Sequence, residues 1–216
     1  MLKIFINGES GKMGSSIIKL INDDDSFTKV EKEDFKTTDV VIDFSRPDST
    51  LRILQDCIEY KKPLLIGTTG LNDTHIQELE IASEAIPILI ASNMSKGIIN
   101  LKKSLKNYIS NNSEPMNCMI EEAHHTEKVD APSGTALDLQ KEISIIYPGA
   151  NVSIESFREG KNPGEHTVRI GLHDEIIELK HKAENRSIFA LGALKGASWL
   201  TEKTAGLYAM TDIYSS

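Results

Sequence analysis

"LKIFINGESGKMG", Leu2 to Gly14, decides the fold. Leu2 to Asn7 is a short apolar run of buried-strand length. Met13, Ile17, Ile18 and Ile21 then fall at helix spacing. Gly8, Gly11 and Gly14 stand at the junction. A strand that turns through glycines into a helix lets backbone N–H groups approach a pyrophosphate, and the helix N-terminus favours its charge. The spacing is G-x-x-G-x-x-G, with Ser10 where the usual G-x-G-x-x-G has its second glycine. From this loop alone, a dinucleotide site and a plain tight turn both stand open.

The same alternation continues downstream. Val40–Asp43, Leu64–Gly67 and Ile86–Ala91 read as strands, and Asp48–Tyr60 and Asn72–Glu84 as helices. Short apolar strands alternating with helices predict a parallel sheet covered on both faces. The texture changes near Ser92–Gly97, which marks a domain boundary. Beyond it Ile98–Tyr108 and Thr135–Tyr147 read as helices and Asn117–Ala123 as a strand. Val152–Arg158, His166–Leu172 and Glu175–Ala183 read as closely spaced strands, the last two joined by a His173-Asp174 turn. This predicts an α+β unit with an antiparallel or mixed sheet. Ser187–Glu202 is a final helix rich in Ala and Gly.

Composition narrows the function classes. The 216 residues carry 24 basic and 32 acidic side chains, net charge −8. That argues against a nucleic-acid or anionic-membrane partner, which needs a basic face. The two cysteines, Cys57 and Cys118, form no C-x-x-C, so neither a disulfide framework nor a cysteine zinc site is expected, and a reducing cytoplasm fits. The N-terminal apolar run is too short for a signal peptide, and no segment approaches the ~20 apolar residues of a membrane span.

Two further segments support a nucleotide crevice. Glu31 closes a strand candidate near the offset of about 20 residues at which an acid meets the adenosine ribose. "IGTTG", Ile66–Gly70, ends another strand with small polar groups, where α/β sheets bind ligands. "ASNMSKG", Ala91–Gly97, reads on its own as a polar interdomain loop, and in context as a wall of the same crevice.

"EEAHHTEKVDAPSGTAL", Glu121–Leu137, concentrates the chemistry. On an extended chain His124 and His125 point to opposite faces, which is poor chelation geometry, and no H-E-x-x-H occurs. No metal site is expected. A solvated charged loop is one reading. The other is a proton-donor and anion site, with a histidine as general acid and Lys128 as fixed positive charge. Ser133-Gly134-Thr135 would open a helix whose N–H groups hold a carboxylate. Asp130 could cap that helix or orient Lys128, and Glu121 or Glu122 could fix a histidine tautomer. The residues alone leave both readings standing.

"AHHTEKVDAPSGTAL" resembles the E-A/T-H-H-x-x-K-x-D-A-P-S-G-T-A signature of the dihydrodipicolinate reductase family. "GESGKMG", "VVIDFSRPD", "IGTTGL", "ASNMSKGIIN", "GEHTV", "ELKHKAENRSIFALGAL" and "GLYAMTDI" are similar to family segments in the family's order. The resemblance covers essentially the whole chain. It implies reduction of 4-hydroxy-tetrahydrodipicolinate to tetrahydrodipicolinate with NADH or NADPH, in the diaminopimelate and lysine pathway. It implies a Rossmann-like domain over 1–95 and 187–216, and over 96–186 a substrate domain that builds a homotetramer. By position, His124 matches the acid and Lys128 the second proton-donating or polarising group. His125, Ser133, Gly134 and Thr135 fall at the substrate carboxylates. Gly8, Glu9, Ser10, Gly11, Lys12 and Met13 fall at the cofactor, as do Glu31, Gly67, Thr68 and Thr69, and Ala91, Ser92, Asn93 and Met94. Lys32, next to Glu31, adds a base at the ribose.

The chain departs from the family in three places. Met94 stands where an aromatic is common, the stretch from Lys32 to Thr38 is short, and Ala209 replaces an acid. Two alternatives are a reductase of another small imine or keto acid and a non-catalytic dinucleotide sensor. The sensor would need no proton donor, so His124 argues against it.

Overall fold

In the computed structural model, which describes residues 1–111, 117–172 and 174–214, β1 (Leu2–Asn7) runs through the glycine turn into α1 (Lys12–Asn22). The chain divides into two compact units, Met1–Met94 with Arg186–Ser216, and Ser95–Asn185.

In the first unit β2 (Phe27–Val30), β3 (Val40–Asp43), β4 (Leu64–Ile66) and β5 (Pro87–Ile90) join β1 in one parallel sheet. A last strand, β10 (Gly206–Tyr208), adds beside β5, so the order is β10-β5-β4-β3-β1-β2. Val40–Asp43 and Leu64–Ile66 are buried on both faces, which is why they read as unbroken apolar runs. The strand order reverses at β1, so a switch point lies between β1 and β3. Lys32–Thr37 is a short 3-10 helix after β2.

The helices start where the sequence supplies a start. α2 (Pro47–Tyr60) has proline in its first turn and ends on Lys61 in the left-handed region, φ 52°. α3 (Asp73–Ala82) opens with a capping box between Asn72 and His75. α6 (Ser187–Leu200) is the buried helix of this unit, packed on α1 and on β3, β4 and β5. Its small residues permit that approach. A Cβ on Gly192 would sit 1.8 Å from the Met94 carbonyl oxygen, and one on Gly196 2.8 Å from Leu65 Cδ1.

In the second unit β6 (Asn117–His124) lies between β7 (Asn151–Arg158) and β8 (Glu165–Leu172), and β9 (Glu175–Lys182) closes the other edge. β6–β8 and β8–β9 are antiparallel. β6–β7 is parallel, because α5 (Gly134–Ile146) crosses between them, so the sheet is mixed. α4 (Lys96–Ser110) and α5 pack together over an apolar core of Leu105, Ile120, Leu139, Ile143, Val168 and Ile170. Asp174 is described, but His173, the other residue of the expected turn, lies outside the described residues. Among the described residues no helix is long and apolar enough to cross a membrane.

The α6 packing is testable. Gly192→Ala forces the helix away from the Met94 carbonyl, an overpacking cost of about 1–3 kcal/mol. The expected result is a melting temperature lower by roughly 2–10 °C in a thermal scan. An unchanged Tm would show that α6 does not need its glycine there.

Candidate active site

The glycine turn is closed upon itself. Gly11 donates to the Gly8 carbonyl at 3.0 Å, and Gly8 holds φ 93°. A Cβ at Gly8 would lie 2.5 Å from the Phe44 carbonyl oxygen, and one at Gly14 2.3 Å from the Gly8 oxygen. These two glycines therefore serve close packing of the turn against β3 and α1. Gly11, the N-cap, has no side-chain cap bond, and the first turn of α1 carries no acid. No first-turn acid offsets the positive end of α1, beside which Glu9, Ser10, Gly11 and Lys12 are exposed and Met13 is half-buried.

The loops around this turn are held by Asp43, which has no solvent exposure. Its carboxylate accepts from Asn7 at the end of β1, Ser45 after β3, Thr68 after β4 and Thr50 on α2. Thr68 is buried in this network, while Gly67 and Thr69 beside it are half-buried. Gly67 is needed because a Cβ would strike the Phe44 ring at 2.1 Å. Ala91, Ser92 and Asn93 are half-buried after β5, and the Met94 side chain is a core group, 1% exposed. Glu31 and Lys32 are exposed at the end of β2. Lys29 bridges Glu31 at 2.8 Å and Glu9 at 2.6 Å, tying the glycine turn to that strand end.

In the second unit strand alternation does the placing. Along β6 the residues Cys118, Ile120, Glu122 and His124 are buried. Period two carries the apolar row into a polar end. Sheet register adds His166 opposite Glu122 on β8, and Arg158 beside His124 on β7. His125, just past the end of β6, is half-buried, its backbone N–H on the Asn162 carbonyl at 2.8 Å.

Glu122, with no exposure, is the centre of this row. One carboxylate oxygen meets His124 Nδ1 and accepts from Arg158 at 3.0 Å. The other accepts from Arg158 at 2.8 Å and from the Ser133 N–H at 3.2 Å. Burial pushes the Glu122 carboxyl upward. Hydrogen bonds from His124, Arg158 and Ser156 outweigh that and hold it well below the usual carboxylate range. The carboxylate thus takes His124 through Nδ1, which leaves Nε2 as the outward nitrogen. That nitrogen borders Gly164, where a Cβ would stand 3.0 Å away.

Ser133 caps α5 through the Ala136 N–H, so Asp130 does not cap this helix. Asp130 instead receives Lys128 at 2.7 and 2.9 Å. Gly134 and Thr135 form the first turn of α5, which carries no acid. Glu121, on the opposite face, pairs with Arg169, so Glu122 and not Glu121 orients the histidine.

Sequence reasoning missed Arg158, His166, Gly164 and the Asp43 network. "GEHTV" contained two of them, but only sheet register shows what they face. Glu122, His124 and His166 bring three possible ligand atoms within 4.8 Å of one another. Arg158 and the Ser133 N–H already donate to the carboxylate oxygens of this cluster.

A parallel sheet with a glycine turn at its switch point, followed by a mixed-sheet unit with a buried carboxylate–imidazole pair, is the build of a two-unit oxidoreductase. Solved structures with a similar fold include dipicolinate-bound dihydrodipicolinate reductase from Paenisporosarcina sp. TG-14 (TM-score 0.74, 19% identity, 97% of each chain). The fold also resembles myo-inositol dehydrogenase from Corynebacterium glutamicum (TM-score 0.65, 12% identity, 95% of this chain and 90% of that one). In sequence, residues 26–94 match "Dihydrodipicolinate reductase, N-terminus" and residues 97–214 match "Dihydrodipicolinate reductase, C-terminus". The 4-hydroxy-tetrahydrodipicolinate reductase of Buchnera aphidicola subsp. Cinara cedri is 37% identical over 98% of this chain and 96% of its own. That of Rickettsia rickettsii is 35% identical over 99% of each. The chain belongs to the dihydrodipicolinate reductase family, and the family implies a nicotinamide dinucleotide cofactor.

The buried row predicts an acid-sensitive fold. Burial pushes His166 down to about 3, with the His124, His181 and Lys128 charges adding to the fall and Glu122 opposing it. The unfolded chain protonates that imidazole below about pH 6.5. Stability therefore falls as pH drops from about 6.5, at up to ~1.4 kcal/mol per unit. Glu122, held low, adds stability above the ordinary carboxylate range that is lost below it. Thermal melts across pH 8 to 4 are expected to show Tm declining from about pH 6.5. His166→Gln should flatten the slope above the carboxylate range, with a residue left by His181, which burial also pushes down. An identical slope in that variant would exclude His166 as the source.

Proposed function

We propose that this chain reduces 4-hydroxy-tetrahydrodipicolinate to tetrahydrodipicolinate with NADH or NADPH, in the diaminopimelate and lysine pathway. The observation that carries the reading is His124, fixed through Nδ1 on a buried carboxylate that also binds the N-terminus of α5. A proton donor and a carboxylate-binding helix end are thus built as one piece. A binding module for a dinucleotide alone has no use for that arrangement.

The cofactor fits the first unit. The turn Gly8–Met13 and the uncapped end of α1 would take its pyrophosphate, Glu31 and Lys32 its adenosine ribose, and Gly67–Thr69 and Ala91–Met94 the crevice walls. A bound reduced nicotinamide supplies the hydride. The protein does the rest. Gly134 and Thr135 orient one substrate carboxylate through helix-end N–H groups, Ser133 shapes that turn with its N–H on Glu122 and its hydroxyl capping α5, and His125 assists. Lys128, steadied by Asp130, offsets the dianion. The substrate loses its 4-hydroxyl as water, the conjugated ring so formed takes the hydride, and His124 holds at Nε2 the proton that the ring then takes up, a contribution of about 10²–10⁴-fold for a placed acid. The enzyme would work in the cytoplasm as a homotetramer assembled through its second unit.

Absorbance at 340 nm with freshly generated substrate tests the reading. His124→Ala and Lys128→Ala are each expected to lower kcat by roughly 10²-fold, with NAD(P)H affinity little changed. Pyridine-2,6-dicarboxylate should compete with substrate. Normal turnover in both variants would remove the assigned roles, and absence of NAD(P)H consumption by native enzyme would remove the activity.

Cofactor choice is a separate test. An acid at the β2 end accepts from ribose hydroxyls and repels a 2′-phosphate, and a base does the reverse. Glu31 and Lys32 supply both, and Lys29 already offsets Glu31. NADH and NADPH should be used within about one tenfold step, ~1.4 kcal/mol. Glu31→Ala should weaken NADH more, and Lys32→Ala NADPH more. Native discrimination beyond a hundredfold would place the ribose elsewhere.

A further inference from the structure

Arg158 has no part in the reaction as described, yet its guanidinium is heavily committed. Its two terminal nitrogens carry four N–H groups, and each has an acceptor. One nitrogen donates to Glu122 at 3.0 Å and to the Phe157 carbonyl at 2.7 Å. The other donates to Glu122 at 2.8 Å and to the Asp130 carbonyl at 2.6 Å. The side chain is 19% exposed, and its partner Glu122 is fully buried. Only a planar guanidinium can span two carboxylate oxygens and two carbonyls at once.

This position has two consequences. Glu122 meets His124 with one oxygen and Arg158 with both. Arg158 is therefore the fixed cation that shares the negative charge with the His124 proton. A buried carboxylate with no other cation would grip that proton and make a poor donor. The Asp130 carbonyl also belongs to the segment that presents Lys128 and leads into Ser133. The same guanidinium therefore sets the distance between that segment and β6.

We propose that Arg158 is a positioning residue: acting through Glu122 and the Asp130 carbonyl, it keeps the His124 proton transferable and holds the carboxylate-binding turn in register with it. The inference rests on His124 being the acid of the proposed reaction. The charged and titratable groups facing this pair are Glu122 on β6, His166 on β8, and Lys128 and Asp130 on the connecting segment.

Two substitutions separate charge from geometry. Arg158→Gln removes the charge, and Arg158→Lys keeps the charge but not the four-way fork. An acid must be protonated to act, so activity is lost as pH rises through an alkaline limb. In Arg158→Gln, Glu122 bears on the imidazolium uncompensated, and that limb should move up by roughly one pH unit. In Arg158→Lys the limb should stay near the native one. In both, pyridine-2,6-dicarboxylate should bind about tenfold more weakly by calorimetry, with NADH binding unchanged. An unmoved or lowered limb in Arg158→Gln overturns the charge role, and native dicarboxylate affinity in Arg158→Lys overturns the clamp. If Arg158→Gln does not fold, the Lys variant still decides the clamp, and Arg158→Met with NMR titration of the His124 imidazole decides the charge. That NMR titration needs no turnover. It stays informative if native enzyme proves inactive on the proposed substrate, an outcome that would remove the functional reading alone.

Discussion

A carboxylate without solvent must be neutralised by what surrounds it, and in the second unit that requirement falls at Glu122. Its neighbours are set by the pleat and by register: His124 two residues on, His166 across β8, and Arg158 across β7. Removal of Arg158 or His124 would leave part of the charge unpaired in the core. The requirement also fixes where α5 begins, because the Ser133 N–H, otherwise an orphan at the helix end, is spent on Glu122. The segment from His124 to Ser133 is therefore pinned at both ends, whatever its exposed middle does.

The first unit has its own buried carboxylate, Asp43, solved with different donors. Asn7, Ser45, Thr50 and Thr68 are neutral; Asn7 ends β1, Ser45 follows β3, Thr68 follows β4 and Thr50 lies in the first turn of α2. Such a network rigidifies loops but offers no proton to exchange. Glu122 is matched to an imidazole, which can exchange a proton, and to a guanidinium, which stays charged. The two carboxylates thus differ by donor type: hydroxyls and an amide at Asp43, an imidazole and a guanidinium at Glu122.

Much of this was legible in sequence. β1 and α1 announce themselves by an apolar run, three glycines and a helical period, and Val40–Asp43 by four consecutive buried side chains. The caps on α3 and α5 are the residues that capping chemistry favours. β10 was not legible, since Gly206–Tyr208 is too short to show a period. The parallel pairing of β6 with β7 was harder, because alternation is the same in both directions. The intervening α5 was the available signal, since parallel neighbours need a crossover. At the site, the adjacent histidines, Lys128 and Ser133-Gly134-Thr135 could be found locally. Arg158 and His166 could not, because nothing short of sheet register says that they share a row with Glu122.

That row contains two imidazoles at 5.1 Å between ring centres, and they cannot play the same part. His166 is buried, and burial holds it neutral through the ordinary pH range. As a neutral ring it reaches the Ser133 hydroxyl at 3.2 Å and wedges the helix cap against the sheet. Charging it would place a second cation beside Arg158 and compete for Glu122. Its neutrality reserves the carboxylate for His124. His124, whose Nε2 borders Gly164, is the ring of the two that the proposed reaction takes as its acid. Gly164 completes the asymmetry. With φ 149° and no side chain, it keeps open the space that any Cβ would take from that nitrogen.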